Sequence, residues 1–234
     1  MYSKEDLLTR VEETLEKALV EKTGIFYKED FLDYKGKTKT GETYSEILSD
    51  LLLQNHSKLE NSIPLVEREK SYKVETHKGE STTGRTKENS NRKEEHIALN
   101  MFDKTFNFIG KVLDYQIPLK NKQSDNAGKI DLLSFNNGSL NILELKKPDS
   151  NETLLRCVLE VYTYWRTINR EKLSRDFEHP KTPVRKGILV CENSQAHKDY
   201  LTLPKTKELT LQLDVEVYIY TLGNEGSLQI KSKL

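Results

Sequence analysis

With 234 residues, 35% hydrophobic and 32% charged, the chain has apolar material for a core of ~100–150 residues, enough for one domain with an extension or two small ones. Lys plus Arg and Asp plus Glu each number 37, so the formal net charge is zero; polybasic binding to polyanions or membranes is disfavoured, while a locally basic groove is not. Two cysteines, Cys157 and Cys191, are too few for a disulfide scaffold or a thiolate zinc cage, and MYSKEDLLTR lacks the apolar core of a signal peptide. No run approaches ~18 apolar residues, so the expectation is a soluble, cytoplasmic protein with no membrane partner.

Ser3-x-x-Asp6 resembles a capping box and opens an apolar stripe, Leu7, Leu8, Val11, Leu15 and Leu19, at helical spacing. A second helix is predicted over residues 42–59, with Ile47, Leu48, Leu51, Leu52 and Leu59 inward. Residues 24–41, rich in Lys and Gly, read as a loop, and Pro64 as a break. Residues 71–93 hold almost nothing to bury. The division expected is a helical N-terminal region (1–66), a polar linker or mobile loop (67–93) and a folded domain (94–234).

In that domain Glu95, Leu99, Phe102, Phe106 and Ile109 share one face of a helix that Gly110 would end. Strands are predicted over residues 112–119, 129–135, 140–146, 184–191 and 215–220, a helix over 151–168, and a short helix or loop over 196–203. Three strands, a helix and another strand give a mixed α/β (α+β) sheet flanked by helices.

The chemistry concentrates in GKIDLLSFNNGSLNILELKKP. Asn137-Gly138 suits a two-residue type I′ hairpin, whose central residues need positive φ. Pairing positions that sum to 275 then sets Asp131 opposite Glu144 and Lys129 opposite Lys146, with Ile130, Leu132, Leu143 and Leu145 on the other face. Opposed carboxylates ~5 Å apart repel unless they protonate, bind lysines or share a cation. Such a pair suits Mg²⁺, with Mn²⁺ as a substitute, and Lys146 could orient or help deprotonate a water attacking a phosphodiester. The competing reading is a salt-bridge cluster, which contributes little.

Asp131, twelve residues, then Glu144-Leu145-Lys146 resembles the D…(D/E)-x-K signature of the PD-(D/E)XK nuclease superfamily. The element order from Glu94 onward is similar to the restriction-endonuclease-like αβββαβ core. The resemblance implies Asp131, Glu144 and the Leu145 carbonyl as metal ligands and Lys146 as catalytic lysine. It also implies a further acid from the preceding helix, Glu95 before Glu94, although acids are in any case favoured in a helix's first turn. Ile130 stands where the name-giving proline would be. Glu160-x-x-x-Tyr164 is the nearest echo of a glutamine motif found in some relatives, and its spacing turns it away from the apolar stripe.

Basic residues outnumber acids between Arg166 and Lys186, so Arg166, Arg170 and Arg175 are candidate nucleic-acid contacts, with Lys120, Lys122 and Lys129 near the hairpin. Arg85, Arg92 and Lys93 could close over a bound strand. The five histidines lack metal spacing, and no Gly-rich phosphate loop argues for a nucleotide cofactor. The expectation is a Mg²⁺-dependent nuclease acting on DNA, with RNA not excluded. It would be an endonuclease, as a homodimer if both strands are cut, of a bacterial defence, restriction or DNA-processing system. The alternatives are a catalytically inactive module of the same fold that binds nucleic acid or serves as an assembly subunit, and a protein-interaction domain with a structural charge cluster.

Overall fold

A computed structural model describes residues 2–22, 26–77, 93–119, 128–223 and 227–234. The described residues form eight α-helices and a seven-stranded mixed sheet. Helix α1 (Lys4–Glu21) carries the capping box: Ser3 Oγ accepts from the Asp6 amide and the Ser3 amide donates to Asp6 Oδ2, both at 3.0 Å. The single helix expected over 42–59 is two, α2 (Tyr44–Gln54) and α3 (His56–Ser62). At Asn55 the backbone leaves helical geometry and the side-chain amide donates to the Leu51 carbonyl, which ends the first helix.

The expected loop over 24–41 contains two 3₁₀ turns, Phe26–Lys28 and Asp30–Asp33, that bury Phe26, Tyr27, Phe31 and Leu32. Its lysines and glycines masked four core residues. The polar stretch expected to bury almost nothing likewise contains the fully buried Tyr72, whose amide donates to Asp176 Oδ2 and whose hydroxyl accepts from the Asn169 amide. Arg85 and Arg92 lie outside the described residues.

Helix α4 (Lys93–Met101) is shorter than predicted. Asp103 takes a left-handed φ of 61° and donates its amide to the Val112 carbonyl, so Phe106 belongs to a strand and Gly110 starts one. The sheet then runs β1 (Thr105–Phe106), β2 (Gly110–Pro118), β3 (Lys129–Asn136), β4 (Ser139–Leu145), β5 (Val184–Cys191), β6 (Glu216–Leu222) and β7 (Leu228–Lys233), in spatial as in chain order. Pairing is antiparallel except for β4 with β5 and β5 with β6, which are parallel. Helix α5 (Leu154–Thr167) supplies the first parallel crossover, followed by the short α6 (Arg170–Asp176); α7 (Gln195–Thr202) and α8 (Pro204–Gln212) supply the second.

The hairpin has the predicted register from Asn136↔Ser139 to Leu132↔Leu143. Alternation sends Leu133, Leu140, Ile142, Ile188 and Val190 to the α5 side, and Leu132, Leu143, Leu145, Leu189, Tyr218 and Tyr220 to the α4 side. Ile130 breaks the rule: it joins Leu133, not Leu132 as expected. On β2, Tyr115 and Ile117 likewise fall on opposite faces. Gln116, between them, has a φ of 47°, and Tyr115↔Leu132 and Ile117↔Ile130 frame Gln116 and Asp131. A matched kink therefore interrupts the pleat of both strands at Asp131.

The N-terminal helices share one continuous core with β3–β6 and α5. Side chains from elsewhere in the chain cap helix starts: Glu46 of α2 accepts from the Lys205 and Thr206 amides of α8, and Asp199 of α7 from the Leu154 amide of α5 (3.0 Å). Among the described residues no helix is long and apolar enough to cross a membrane.

Candidate active site

The kink brings Asp131 to the point where β3 and β4 diverge. Paired register ends at Leu132↔Leu143, so Asp131 with Glu144 and Lys129 with Lys146 are not the ladder partners expected from the turn. Asp131 instead reaches along β4: its Oδ2 accepts from the Leu145 amide (2.9 Å) and its Oδ1 from Gln116 Nε2 (2.7 Å). Glu144 follows Leu140 and Ile142 at alternate positions of β4, which directs it to the α5 side, and Lys146 continues that row. The chain leaves β4 at Lys146, whose amide donates to the Leu189 carbonyl and whose carbonyl accepts from Tyr220 Oη (2.6 Å).

Around the buried Lys146 ammonium stand three carboxylates: Glu144 Oε1 at 2.8 Å, Glu152 Oε2 at 2.7 Å and Glu160 Oε2 at 2.9 Å. Glu160 accepts with hydrogen-bond directionality; Glu152 Oε2 is buried beside the ammonium yet accepts no hydrogen bond. Tyr164 Oη donates to Glu160 Oε1 (2.8 Å) and lies 3.3 Å from Tyr27 Oη of the first 3₁₀ turn. Glu160 and Tyr164 therefore face the site, contrary to the orientation expected from the helix's apolar stripe. Helix α5 is buried on a second side by the N-terminal segment, so a polar pair off the main stripe is still inside.

Three carboxylates thus meet one ammonium, with the Asp131 carboxyl close by. Burial pushes Asp131 up to about 7; the Leu145 amide and Lys146 oppose the rise, and Glu160 and Glu94 add to it. Burial, then Asp131 and Glu160, hold Glu144 well above the ordinary carboxyl range. Burial would lower Lys146, but Glu144 and Glu160 outweigh it and hold the ammonium well above its usual value. Burial would raise Glu160, and Lys146 with Tyr164 outweighs it, so this carboxylate is lowered. Burial also pushes the Cys157 thiol well up, which removes it as a nucleophile.

A cleft of about 480 Å³ opens beside Asp131, lined also by Lys93, Glu94, Glu95, Gln116, Lys129 and Lys147. Both helix acids line it. Glu94 is tied to the end of the motif segment, its Oε1 accepting from the Lys147 amide at 3.1 Å. Of the expected nucleic-acid contacts, Lys129 lines this cleft, whereas Lys120 and Lys122 lie outside the described residues. Arg166, Arg170 and Arg175 are not brought to the acids. Arg170 and Arg175 sit at the other end of the β4–β5 ladder, near Leu140↔Val184, while the acids sit near Leu145↔Leu189. Arg166 is paired with Glu60 at 2.6 Å.

Sequence reasoning also missed His77, whose Nδ1 lies 2.6 Å from Asp114 Oδ1 while its ring stacks on Tyr115 at 4.0 Å. Asp114 also accepts from the Val74 and Tyr115 amides, so the pair fastens the segment before α4 to β2.

Among the described residues no group of three or more His, Cys, Asp or Glu side chains is arranged to hold a metal ion. The pair Asp131 and Glu144 still fits Mg²⁺, which binds through one or two carboxylates and keeps several waters. Its hard oxygen donors and its surplus of buried acid are what a dication would balance. Comparison with protein families, with curated proteins and with solved structures brings no match.

Proposed function

We propose that this chain is a divalent-metal-dependent nuclease that hydrolyses phosphodiester bonds of DNA, on a restriction-endonuclease-like core formed by α4, β2–β4, α5 and β5. The observation that carries the reading is the crowding of Glu144, Glu152 and Glu160 on the single Lys146 ammonium, next to an Asp131 that lines a cleft edged by Lys93, Lys129 and Lys147. Burying acid without compensation is costly, and such clusters gather at functional sites. The run of three antiparallel strands, a helix and a parallel strand supports the fold assignment.

Asp131, Glu144 and the Leu145 carbonyl would hold the cation, which when bound neutralises charge developing on the phosphoryl oxygens. Gln116 and the Leu145 amide fix the Asp131 carboxylate. Lys146 stays protonated, so its part is that of a fixed positive charge and donor at Nζ, not a base. An ammonium has three N–H donors, and three carboxylates surround this one. A phosphate oxygen must displace one of them, and Glu152, the most exposed of the three, is the one to yield. The cleft lysines supply backbone contacts.

Plasmid, linear and single-stranded DNA incubated with Mg²⁺ test the reading. Wild-type protein cuts at least one, and Asp131→Asn and Glu144→Gln cut none. Equal cutting by all three proteins rejects the site. The crowding of Lys146 by three carboxylates favours, as the second reading, a non-cutting module of the same fold; binding of DNA without cleavage in Mg²⁺ or Mn²⁺ selects it.

A further inference from the structure

At the far end of the β4–β5 ladder a separate cavity of about 640 Å³ is lined by Arg170, Glu171, Ser174, Arg175, Lys181 and Thr182, among others. Arg170 is held rigidly. Its guanidinium lies 4.0 Å over the Trp165 ring, and its Nη1 donates to the Trp165 carbonyl. Trp165 is itself fixed by donating Nε1 to the Val184 carbonyl at 2.7 Å. Among the described residues neither Arg170 nor Lys181 has a carboxylate at ion-pair distance, and Arg175 meets Glu171 only at 4.0 Å. Burial and the neighbouring Arg166 charge both work against the Arg170 cation. A partly buried guanidinium without a counter-charge, in a cavity edged by two more cations, is in want of an anion.

We propose that this cavity holds a backbone phosphate of the nucleic acid, about 20 Å along the strands from Lys146. That the anion is a nucleic-acid phosphate rests on the nuclease reading; that the cavity takes a phosphate group does not. The guanidinium forks of Arg170 and Arg175 match phosphate oxygens in pairs, and Lys181 adds a point charge. A duplex must exceed about 6 base pairs to reach from this cavity to the cleft, since successive phosphates advance ~3.4 Å per strand.

The test is fluorescence anisotropy of labelled duplexes in EDTA over a range of salt, with wild type, Asp131→Asn, and the double variant Arg175→Gln with Lys181→Gln. Both residues of the double variant are exposed, so its fold should be kept. The variant should bind a duplex of about 24 base pairs roughly 10-fold more weakly, with a salt slope smaller by about 2. Arg170→Gln should weaken binding in the same direction. Wild-type affinity and slope in the double variant overturn the proposal. So does calorimetry in which inorganic phosphate binds wild type but not the variant while duplex binding is unchanged, because the cavity then serves a free anion. Adding Mg²⁺ to the bound complexes separates the two readings: Asp131→Asn should bind like wild type without cutting, and if wild type also binds through the cavity yet cuts nothing in Mg²⁺, the nuclease reading fails and the phosphate site stands.

Discussion

Replacing Asp131 by Asn should make the protein more stable while removing the proposed DNA cleavage. The Asp131 carboxyl is displaced from 3.8 to about 7, chiefly by burial. A folded-state value above the unfolded one means that the native protein binds the proton more tightly. The associated stability is full below pH ~4 and is lost as pH rises through about 7. A displacement of that size corresponds to at most about 4 kcal/mol at pH 8, shared with the neighbouring Glu144 and Lys146. Asn keeps the shape, accepts from the Leu145 amide and carries no charge, and a flipped Gln116 amide can accept from it. Urea unfolding in EDTA should therefore find Asp131→Asn about 2–4 kcal/mol more stable than wild type at pH 8 and nearly equal at pH 4. Equal stability at both pH values, or a less stable variant at pH 8, would refute the claim that this carboxyl is held against its own charge.

Lys146→Met should lose about 3–5 kcal/mol of stability at pH 8, because Glu144, Glu152 and Glu160 are left without their cation; urea midpoints read the loss. Lysine removal is thus a poor test of catalysis, since the fold suffers with it. Gly128→Ala should cost about 1–3 kcal/mol, as a Cβ there would overlap the Tyr164 ring; a melting temperature equal to wild type would show that the ring can move aside.

The hairpin was legible because local chemistry decides it. Asn137 and Gly138 both take the positive φ that the turn demands (47° and 73°), and the register follows from the turn. Strand β5 was legible as an apolar run, and α1 through its cap. The kink at Gln116 and Asp131 was not, because no residue type there announces a left-handed glutamine; it is imposed by pairing between β2 and β3. Glu160 and Tyr164 were misplaced because a one-stripe reading assumes one buried side, whereas α5 is covered on two. Tyr72, Phe26 and Phe31 were hidden in polar surroundings whose composition speaks for solvent. Strands β1 and β7 were missed as short, half-exposed edges without a continuous apolar signal.

Tyr27 lies 137 positions before the tyrosine it meets, and that tyrosine holds the glutamate that holds the lysine. Damage to the first turn of chain after α1 would thus be felt at the ammonium without any change in the motif itself. The opening third of the polypeptide works as a brace for the charge cluster, and severing it would strip the back of α5 as well as slacken its polar chain.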